Sequence, residues 1–379
     1  MTWENKMARD QLTGLDKLYS EVFPQIDNRL RNLFGAGEIL SIKKVYIVGD
    51  GDSYHAALAS RTAFLNLASV EYFPVPAMRF LSYEIDNMHD YSPGQSMVVG
   101  VSASGESRRV VQCLERVKEK NPDAYLVAMT GNPNSSVAKI ARHIFDLSLP
   151  NPELGKAPGI RTYIASLFGL TALAIRFGEI QNRYHMTEAN AMRTRIAAQG
   201  EHVTNITKQS DIQAELMRPY AKSPFFMTAG CANHFGTASF SAAKLTEIAG
   251  LHCVPQDLEE WMHIERFSYP VNTPLIVFSP KGLSFNHAKT LMETAKRLEH
   301  PIIVVTDEPE DITIKSMTDI IFPIYGTLEE HFMQLLFYIP AVSIGVTLSK
   351  ELNRAMFMSD NSTIQKQRAA MTQYLREEV

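Results

Sequence analysis

The chain has 379 residues, 45% hydrophobic and 21% charged, with 37 Lys and Arg against 41 Asp and Glu for a formal charge of −4. That length and balance describe a globular protein with room for two domains and a large core, and the small acidic surplus leaves no electrostatic footprint for nucleic acid. The N-terminus lacks the apolar stretch of a signal peptide, and no uninterrupted apolar run approaches the roughly 20 residues of a membrane span, so a cytoplasmic protein that engages no membrane is expected.

In chain order, residues 1–34 form a helical segment in which Leu12, Leu15, Leu18, Val22, Ile26, Leu30 and Leu33 recur at helical steps and Pro24 marks a break. The first strand is Lys44–Val48, and Gly49-Asp50-Gly51-Asp52-Ser53-Tyr54 turns from it into an alanine-rich helix from His55 to about Leu67. The turn is not a dinucleotide fingerprint, because the third glycine and its spacing are absent.

A second buried strand, Met97–Val101, shows no polar alternation, as expected of a parallel strand covered on both faces. It runs into Ser102-Ala103-Ser104-Gly105-Glu106-Ser107, after which Val110, Val111, Leu114 and Val117 continue at helical spacing. Three hydroxyls, a glycine and a helix start within six positions make the sequence form of an anion cradle, since the first N–H groups of a helix lack internal partners and carry the positive end of its dipole. A serine-rich turn with an N-cap serves equally well for this stretch by itself. Strands at Tyr125–Thr130 and His143–Leu147 follow, and the alternation with helices predicts a doubly wound parallel sheet.

The pattern then repeats. Tyr46 and Phe226 are 180 positions apart, Val98 and Ile276 178, Val127 and Val304 177, and Ile144 and Ile321 177, all in hydrophobic strand runs. Four strands in the same order at nearly constant offset predict an internal duplication, with charged helices between 182 and 221 at the join. The expected fold is α/β, two duplicated doubly wound parallel-sheet lobes of flavodoxin-like type, divided as 1–34, 35–200, 201–355 and a tail 356–379 that reads as an amphipathic helix. In such sheets ligands sit at the carboxyl ends of the strands.

The copies differ after the first helix of the second lobe. That helix contains Lys244 and Glu247 among small apolar residues, and the loop 251–266 that follows holds Asp257, Glu259, Glu260, Glu265, His252, His263 and Arg266 beside Trp261, placed to roof a pocket. A carboxylate with an imidazole suits proton movement at a carbon next to a carbonyl. A solvated, salt-bridged loop is the alternative. His252 lies on an apolar step and reads as a packed core histidine, and its eleven-residue distance from His263 forms no metal motif. Glu260 is a candidate for an amine group on a substrate. Lys156 and Arg161 are candidates for an anionic substituent. Cys113, Cys231 and Cys253 are scattered in apolar company and read as buried free thiols rather than a disulfide framework or metal site.

The duplicated lobe, the Ser-x-Ser-Gly-Glu-Ser turn and the Glu-then-His spacing resemble the double SIS (sugar isomerase) domain family over roughly residues 35–355. Members include the isomerase half of glucosamine-6-phosphate synthase and the fructosamine-6-phosphate deglycases. Family members carry Ser-Gln-Ser-Gly-Glu-Thr where this chain has Ser102–Ser107, Cys-Gly-Thr-Ser-Tyr where it has Asp50–Tyr54, and Lys-Leu-Lys-Glu-Ile where it has Lys244–Ile248. His263 stands sixteen positions after Glu247, where the family places a histidine.

By that resemblance Ser53, Ser102, Ser104, Gly105 and Ser107 hold a sugar phosphate and Gly51, Asp52, Ala103 and Lys244 line the rest of the substrate, to which Arg161 and Glu260 are added as candidates from their charge alone. Glu247 shuttles a proton between C1 and C2, and His263, reaching the site from a neighbouring subunit, opens the sugar ring. The resemblance implies a homodimer at least, no cofactor and no metal. Three departures qualify it. The synthase's Asn-Leu-Ala-Lys is Asn353-Arg354-Ala355-Met356 here, its Gly-Val-Ala-Ser-Thr-Lys is replaced over 155–162, and the glutaminase half with its N-terminal cysteine is missing. A deglycase acting on a 6-phosphorylated fructosamine suits these departures best, because the substrate brings its own nitrogen. A ketose/aldose phosphate isomerase or amino-sugar phosphate deaminase comes next, and a sugar-phosphate sensor without turnover last.

Overall fold

A computed structural model describes residues 3–150, 157–318 and 320–377. It separates into two compact units, one formed by Lys17–Asn151 with Arg161–Gln199 and the other by Met1–Asp16, Pro152–Ile160 and Gly200–Val379.

The first unit is built on β1 (Lys44–Gly49), β2 (Glu71–Pro76), β3 (Ser96–Val101), β4 (Tyr125–Thr130) and β5 (His143–Asp146), all parallel, in the order β2-β1-β3-β4-β5. Every residue of β3 is buried, which explains its unbroken apolar run. On one face Val48, Val98 and Ala128 meet Val110, Cys113, Leu114 and Val117 from the helix Arg108–Lys120. Gly100 permits that approach, because a Cβ there would lie 2.8 Å from Val110 Cγ1. The expected break at Pro24 is the start of the helix Phe23–Arg31, preceded by a π-helical turn over Leu18–Val22. Proline is tolerated in a first helical turn, where its missing N–H would have no partner.

The second unit repeats the topology with β6 (Phe225–Ala229), β7 (His252–Gln256), β8 (Leu275–Phe278), β9 (Ile302–Thr306) and β10 (Ile320–Pro323), in the order β10-β9-β8-β6-β7. Read from the second strand of each lobe, both orders are the flavodoxin-like 2-1-3-4-5, with the topological switch point between the first and third strands. The core joins Met227, Ala229, Val277 and Val304 to Ala288, Leu291, Met292 and Ala295 of the helix Phe285–Arg297, and to Leu258 and Trp261. Trp261 is therefore a fully buried core residue and roofs no pocket, its ring lying 5.6 Å from that of His300. His252 is exposed on the edge strand β7, not packed in the core, because β7 pairs on one side only.

Two helical stretches, Arg161–Ile180 and Gln334–Leu352, are long and apolar enough by length and composition to cross a membrane, although charged residues such as Arg176, Glu179, Lys350 and Glu351 keep either from being an uninterrupted apolar run. Their most apolar windows are 83% and 72% buried inside the protein, as core helices of an α/β lobe are. Cys113 is buried, whereas Cys231 and Cys253 are half-buried rather than buried, and all three are free. Burial pushes the Cys113 thiol up to about 12, an effect to which the nearby Asp50 carboxylate adds.

Candidate functional site

β1 and β3 are neighbours at the switch point of the first lobe, with Val48 in register with Gly100, so the turns that leave them start side by side. After β3, the buried Ser102 donates its N–H to Met129 O at 3.1 Å and its Oγ accepts the Gly105 N–H at 3.1 Å. Ser102 thus closes the turn, while Ala103 and Ser104 are exposed and Ser107 is half-buried. Ser104 Oγ accepts the Glu106 N–H at 3.2 Å. Ser107 stands at the N-cap of the helix Arg108–Lys120 with no side-chain capping bond, which keeps its hydroxyl out of the cap at the helix's positive end.

Only glycine suits position 105. Its φ is +72°, and a Cβ there would lie 2.0 Å from Ser135 Oγ and 2.8 Å from Thr130 Oγ1. The turn is locked further by Val137 N–H on Gly105 O at 3.0 Å and Gly131 N–H on Ala103 O at 3.1 Å. Glu106 supplies a tie that sequence reasoning missed, since Ser136 donates to its carboxylate from N at 3.2 Å and from Oγ at 2.5 Å. The Ser136 hydroxyl holds the Glu106 carboxyl below the usual carboxylate range.

After β1, Gly51 has φ +55° and ψ −125° and precedes the helix Asp52–Leu67. Asp50 Oδ1 accepts the Ala77 N–H at 3.1 Å, Asp52 Oδ1 lies 3.8 Å from His55 Nδ1, and Ser53 is half-buried with its N–H on Asp50 O at 3.2 Å. The structure therefore brings Gly51, Asp52 and Ser53 to the strand end next to that of Ser102, Ala103, Ser104, Gly105 and Ser107. Arg161 is the first residue of the core helix Arg161–Ile180 and half-buried, and Lys156 lies outside the described residues.

In the second lobe Lys244 and Glu247 share the helix Asn233–Ala249 at i, i+3, with Lys244 Nζ 2.5 Å from Glu247 Oε2. The lysine side chain is 0% exposed and the glutamate 32%, so a fully buried ammonium compensates a carboxylate that reaches solvent. Arg354, at the start of the segment where the family resemblance looked for a lysine, caps this helix by donating from Nη1 to Ala249 O at 3.2 Å and Gly250 O at 3.0 Å, and Met356 is buried. His263 and Glu260 are both exposed on the short helix Leu258–His263. His263 Nε2 is 2.8 Å from Glu259 Oε1, and Glu259 Oε2 is 2.7 Å from His287 Nε2. One carboxylate thus stands between two imidazoles, hydrogen-bonded to His263 and within ion-pair distance of His287, an arrangement that the i, i+4 spacing of Glu259 and His263 signals and that His287 conceals by its distance in sequence. Among the described residues, no three His, Cys, Asp or Glu side chains cluster to hold a metal ion.

The turn after β6 repeats the backbone of the one after β1 with a different sequence, Gly230-Cys231-Ala232-Asn233-His234 against Gly49-Asp50-Gly51-Asp52-Ser53. Ala232 adopts φ +53° and ψ −118°, close to the values of Gly51. A Cβ at positive φ costs about 1–2 kcal/mol, and glycine's greater unfolded-state entropy returns about half of that. Ala232→Gly is expected to stabilise the second lobe by about 0.5–1 kcal/mol, seen as a higher urea midpoint. A lower midpoint would show that the backbone there carries no strain.

Comparison with known proteins agrees with this architecture. The SIS domain family profile matches residues 38–176 and again residues 221–333. Among curated proteins, the glutamine–fructose-6-phosphate aminotransferase (isomerizing) of Thermococcus kodakarensis is 26% identical over 330 residues, covering 84% of this chain and 52% of that protein. This chain thus spans about half the length of the curated relatives it matches. Among solved structures, the C-terminal domain of glucosamine-fructose-6-phosphate aminotransferase from Francisella tularensis superposes with a TM-score of 0.74 at 15% identity, over 89% of this chain and 96% of that one. Glucosamine-6-phosphate deaminase from Thermotoga maritima superposes with a TM-score of 0.69 at 16% identity, over 91% and 93%. With one match on each parallel sheet, the chain belongs to the SIS domain family.

Proposed function

We propose that this chain is a phosphosugar enzyme that moves a proton between C1 and C2 of an open-chain substrate, acting on a 6-phosphorylated fructosamine. The observation that carries the reading is the turn Ser102–Ser107 at the switch point, a glycine-dependent cradle at a helix start with Ser104 exposed and Ser107 uncapped. Names of the relatives support it, since those cited all act on a phosphorylated hexose or hexosamine.

In the proposed reaction the phosphate dianion sits on the turn's N–H groups and the hydroxyls of Ser104, Ser107 and Ser53, with Ser102 holding the turn closed. Glu247 takes the proton from one of the two carbons and returns it to the other, through an enolamine between them. Lys244 anchors one oxygen of that carboxylate. A ketoamine becomes an aldimine by this transfer, and water then cleaves the C–N bond to give an aldose 6-phosphate and a free amine. No enzyme amine is required, which agrees with the capping role of Arg354 and the buried Met356. His263, held by Glu259, serves ring opening, and a homodimer that supplies it from the neighbouring copy belongs to the same proposal.

The phosphate role separates from a structural one by kinetics. Ser104→Ala with Ser107→Ala is expected to raise KM for the phosphorylated substrate about tenfold or more, from the loss of charge-assisted hydrogen bonds of about 1.5–3 kcal/mol each, with thermal unfolding nearly unchanged. Ser102→Ala is expected to lower stability slightly as well, because Gly105 N–H loses the Ser102 hydroxyl and keeps only the Ser102 peptide oxygen at 3.0 Å. A KM that stays constant in the double variant would remove the phosphate from this turn.

A further inference from the structure

The duplication left a second cradle. Ser279-Pro280-Lys281-Gly282-Leu283-Ser284 follows β8 as Ser102–Ser107 follows β3, with Ser, Gly and Ser each 177 positions on. Ser279 donates its N–H to Val305 O at 2.9 Å, the counterpart of the Ser102 bond to Met129 O. The helix Phe285–Arg297 begins directly after it. Ala232 repeats the backbone of Gly51 on the adjoining strand end, so the second lobe keeps both turns of its switch point.

The second cradle is filled from within. The Leu283 N–H donates to Glu330 Oε1 at 3.1 Å. A Cβ on Gly282 would lie 2.2 Å from Glu330 Cδ and 2.4 and 2.6 Å from its two oxygens, so the whole carboxylate rests against the glycine's α-carbon. The peptide oxygen of Glu330 accepts from Asn233 Nδ2 at 3.0 Å, and the same Asn233 amide donates to Gln334 Oε1 at 2.9 Å. Glu330 is thereby fastened to the strand ends on both sides of the switch point. Ser279 is fully buried and its hydroxyl has no hydrogen-bond partner, an unspent donor at the root of the turn. The acids on the far side are engaged, Asp307 Oδ1 by the Lys281 N–H at 2.7 Å and Glu308 Oε1 by Lys281 Nζ at 2.5 Å.

We propose that Glu330 is the resident anion of the second lobe, its carboxylate standing where a phosphate monoester would bind, on a turn that repeats the serines and glycine of the first but not its backbone, since Gly282 lacks the positive φ of Gly105 and Ser284 is helical at φ −90° and ψ −2°. A carboxylate and a phosphate present the same charge-dense oxygens to turn N–H groups. A tethered carboxylate acts at an effective concentration in the millimolar range or above, which excludes a weakly bound free anion. Each chain then offers one phosphate site, in the first lobe, and holds a latent second one closed. The count, though not the occupant, rests on the phosphate role proposed above for the first lobe.

Equilibrium dialysis of the full chain against labelled inorganic phosphate tests this. The wild type is expected to bind one phosphate per chain and Glu330→Ala two, with Ser104→Ala and Ser107→Ala added to Glu330→Ala bringing the number back to one. Glu330→Ser repeats the measurement should the alanine variant fail to fold. Two equivalents in the wild type, or no gain in a folded Glu330 variant, would overturn the proposal. No binding in the wild type with one equivalent in Glu330→Ala would uphold it and instead remove the phosphate from the first lobe.

Discussion

Glu247→Gln is expected to lower kcat on the phosphosugar substrate by about 10²–10⁴-fold, the usual contribution of a positioned general base, with KM changed much less. The substitution keeps the shape of the side chain and an oxygen for the Lys244 ammonium, which lies 2.5 Å from Glu247 Oε2. It removes the capacity to accept a proton from carbon. Folding should survive, because the side chain is 32% exposed, although the fully buried Lys244 loses its ion pair with Glu247 and a modest fall in melting temperature is expected. Lys244→Met makes the complementary test. It leaves the carboxylate present without its Lys244 contact, so activity should fall with Glu247 intact. A Glu247→Gln enzyme that turns over within threefold of the wild type would exclude the carboxylate from the chemical step.

The largest effect on stability is expected at Arg193, far from any proposed chemistry. Its Nε lies 2.8 Å from Asp27 Oδ1 and its Nη2 2.7 Å from Glu179 Oε2, and all three side chains are more than 90% buried. Arg176 sits 3.0 Å from Glu179, and Arg31 3.2 Å from Asp27. The network ties together the helices Phe23–Arg31, Arg161–Ile180 and Met186–Ala198 of the first lobe. Arg193→Leu leaves two buried carboxylates short of a partner, which typically costs about 3–5 kcal/mol. Hydrogen exchange in Met186–Ala198 should accelerate by about a hundred- to a thousandfold at neutral pH, while β6–β10 keep their protection. Burial pushes the Glu179 carboxyl up, but hydrogen bonds from Arg193 and Arg176 outweigh this and hold it below the usual range. A lowered folded-state value means stabilisation that is complete above the ordinary glutamate value of about 4.3 and lost as pH falls through the folded one. The gap between wild type and variant should therefore narrow below about pH 4. A loss that ignores pH would assign the effect to packing rather than charge.

The core strands were legible because burial on both faces writes itself as continuous apolar sequence, as in β1, β3, β4, β6, β8 and β9, and because the lobes repeat at a near-constant offset. β2 and β7 were not legible. Both are edge strands that carry proline, Pro74 and Pro76 in one and Pro255 in the other, and an edge tolerates a missing N–H that a central strand does not. Missing β7 made 251–266 look like one loop, placed His252 in the core and put Trp261 over a pocket. Lys244 and Glu247 were readable as a helical i, i+3 pair, whereas Glu106 with Ser136 and Glu330 with Leu283 lie 30 and 47 positions apart and have no periodic signature. Those distant ties are what shape the two cradles.

The most direct measurement follows products from a panel of 6-phosphorylated ketoamines, amino sugars and ketoses, each beside its unphosphorylated counterpart, with coupled detection of glucose 6-phosphate, fructose 6-phosphate, ammonia and free amine. Aldose 6-phosphate and amine released in equal amounts from a phosphorylated fructosamine, with the unphosphorylated sugar at least a hundredfold poorer in kcat/KM, is the predicted result. Thermal stabilisation by the phosphorylated sugars without any product, or turnover indifferent to the phosphate, would contradict it.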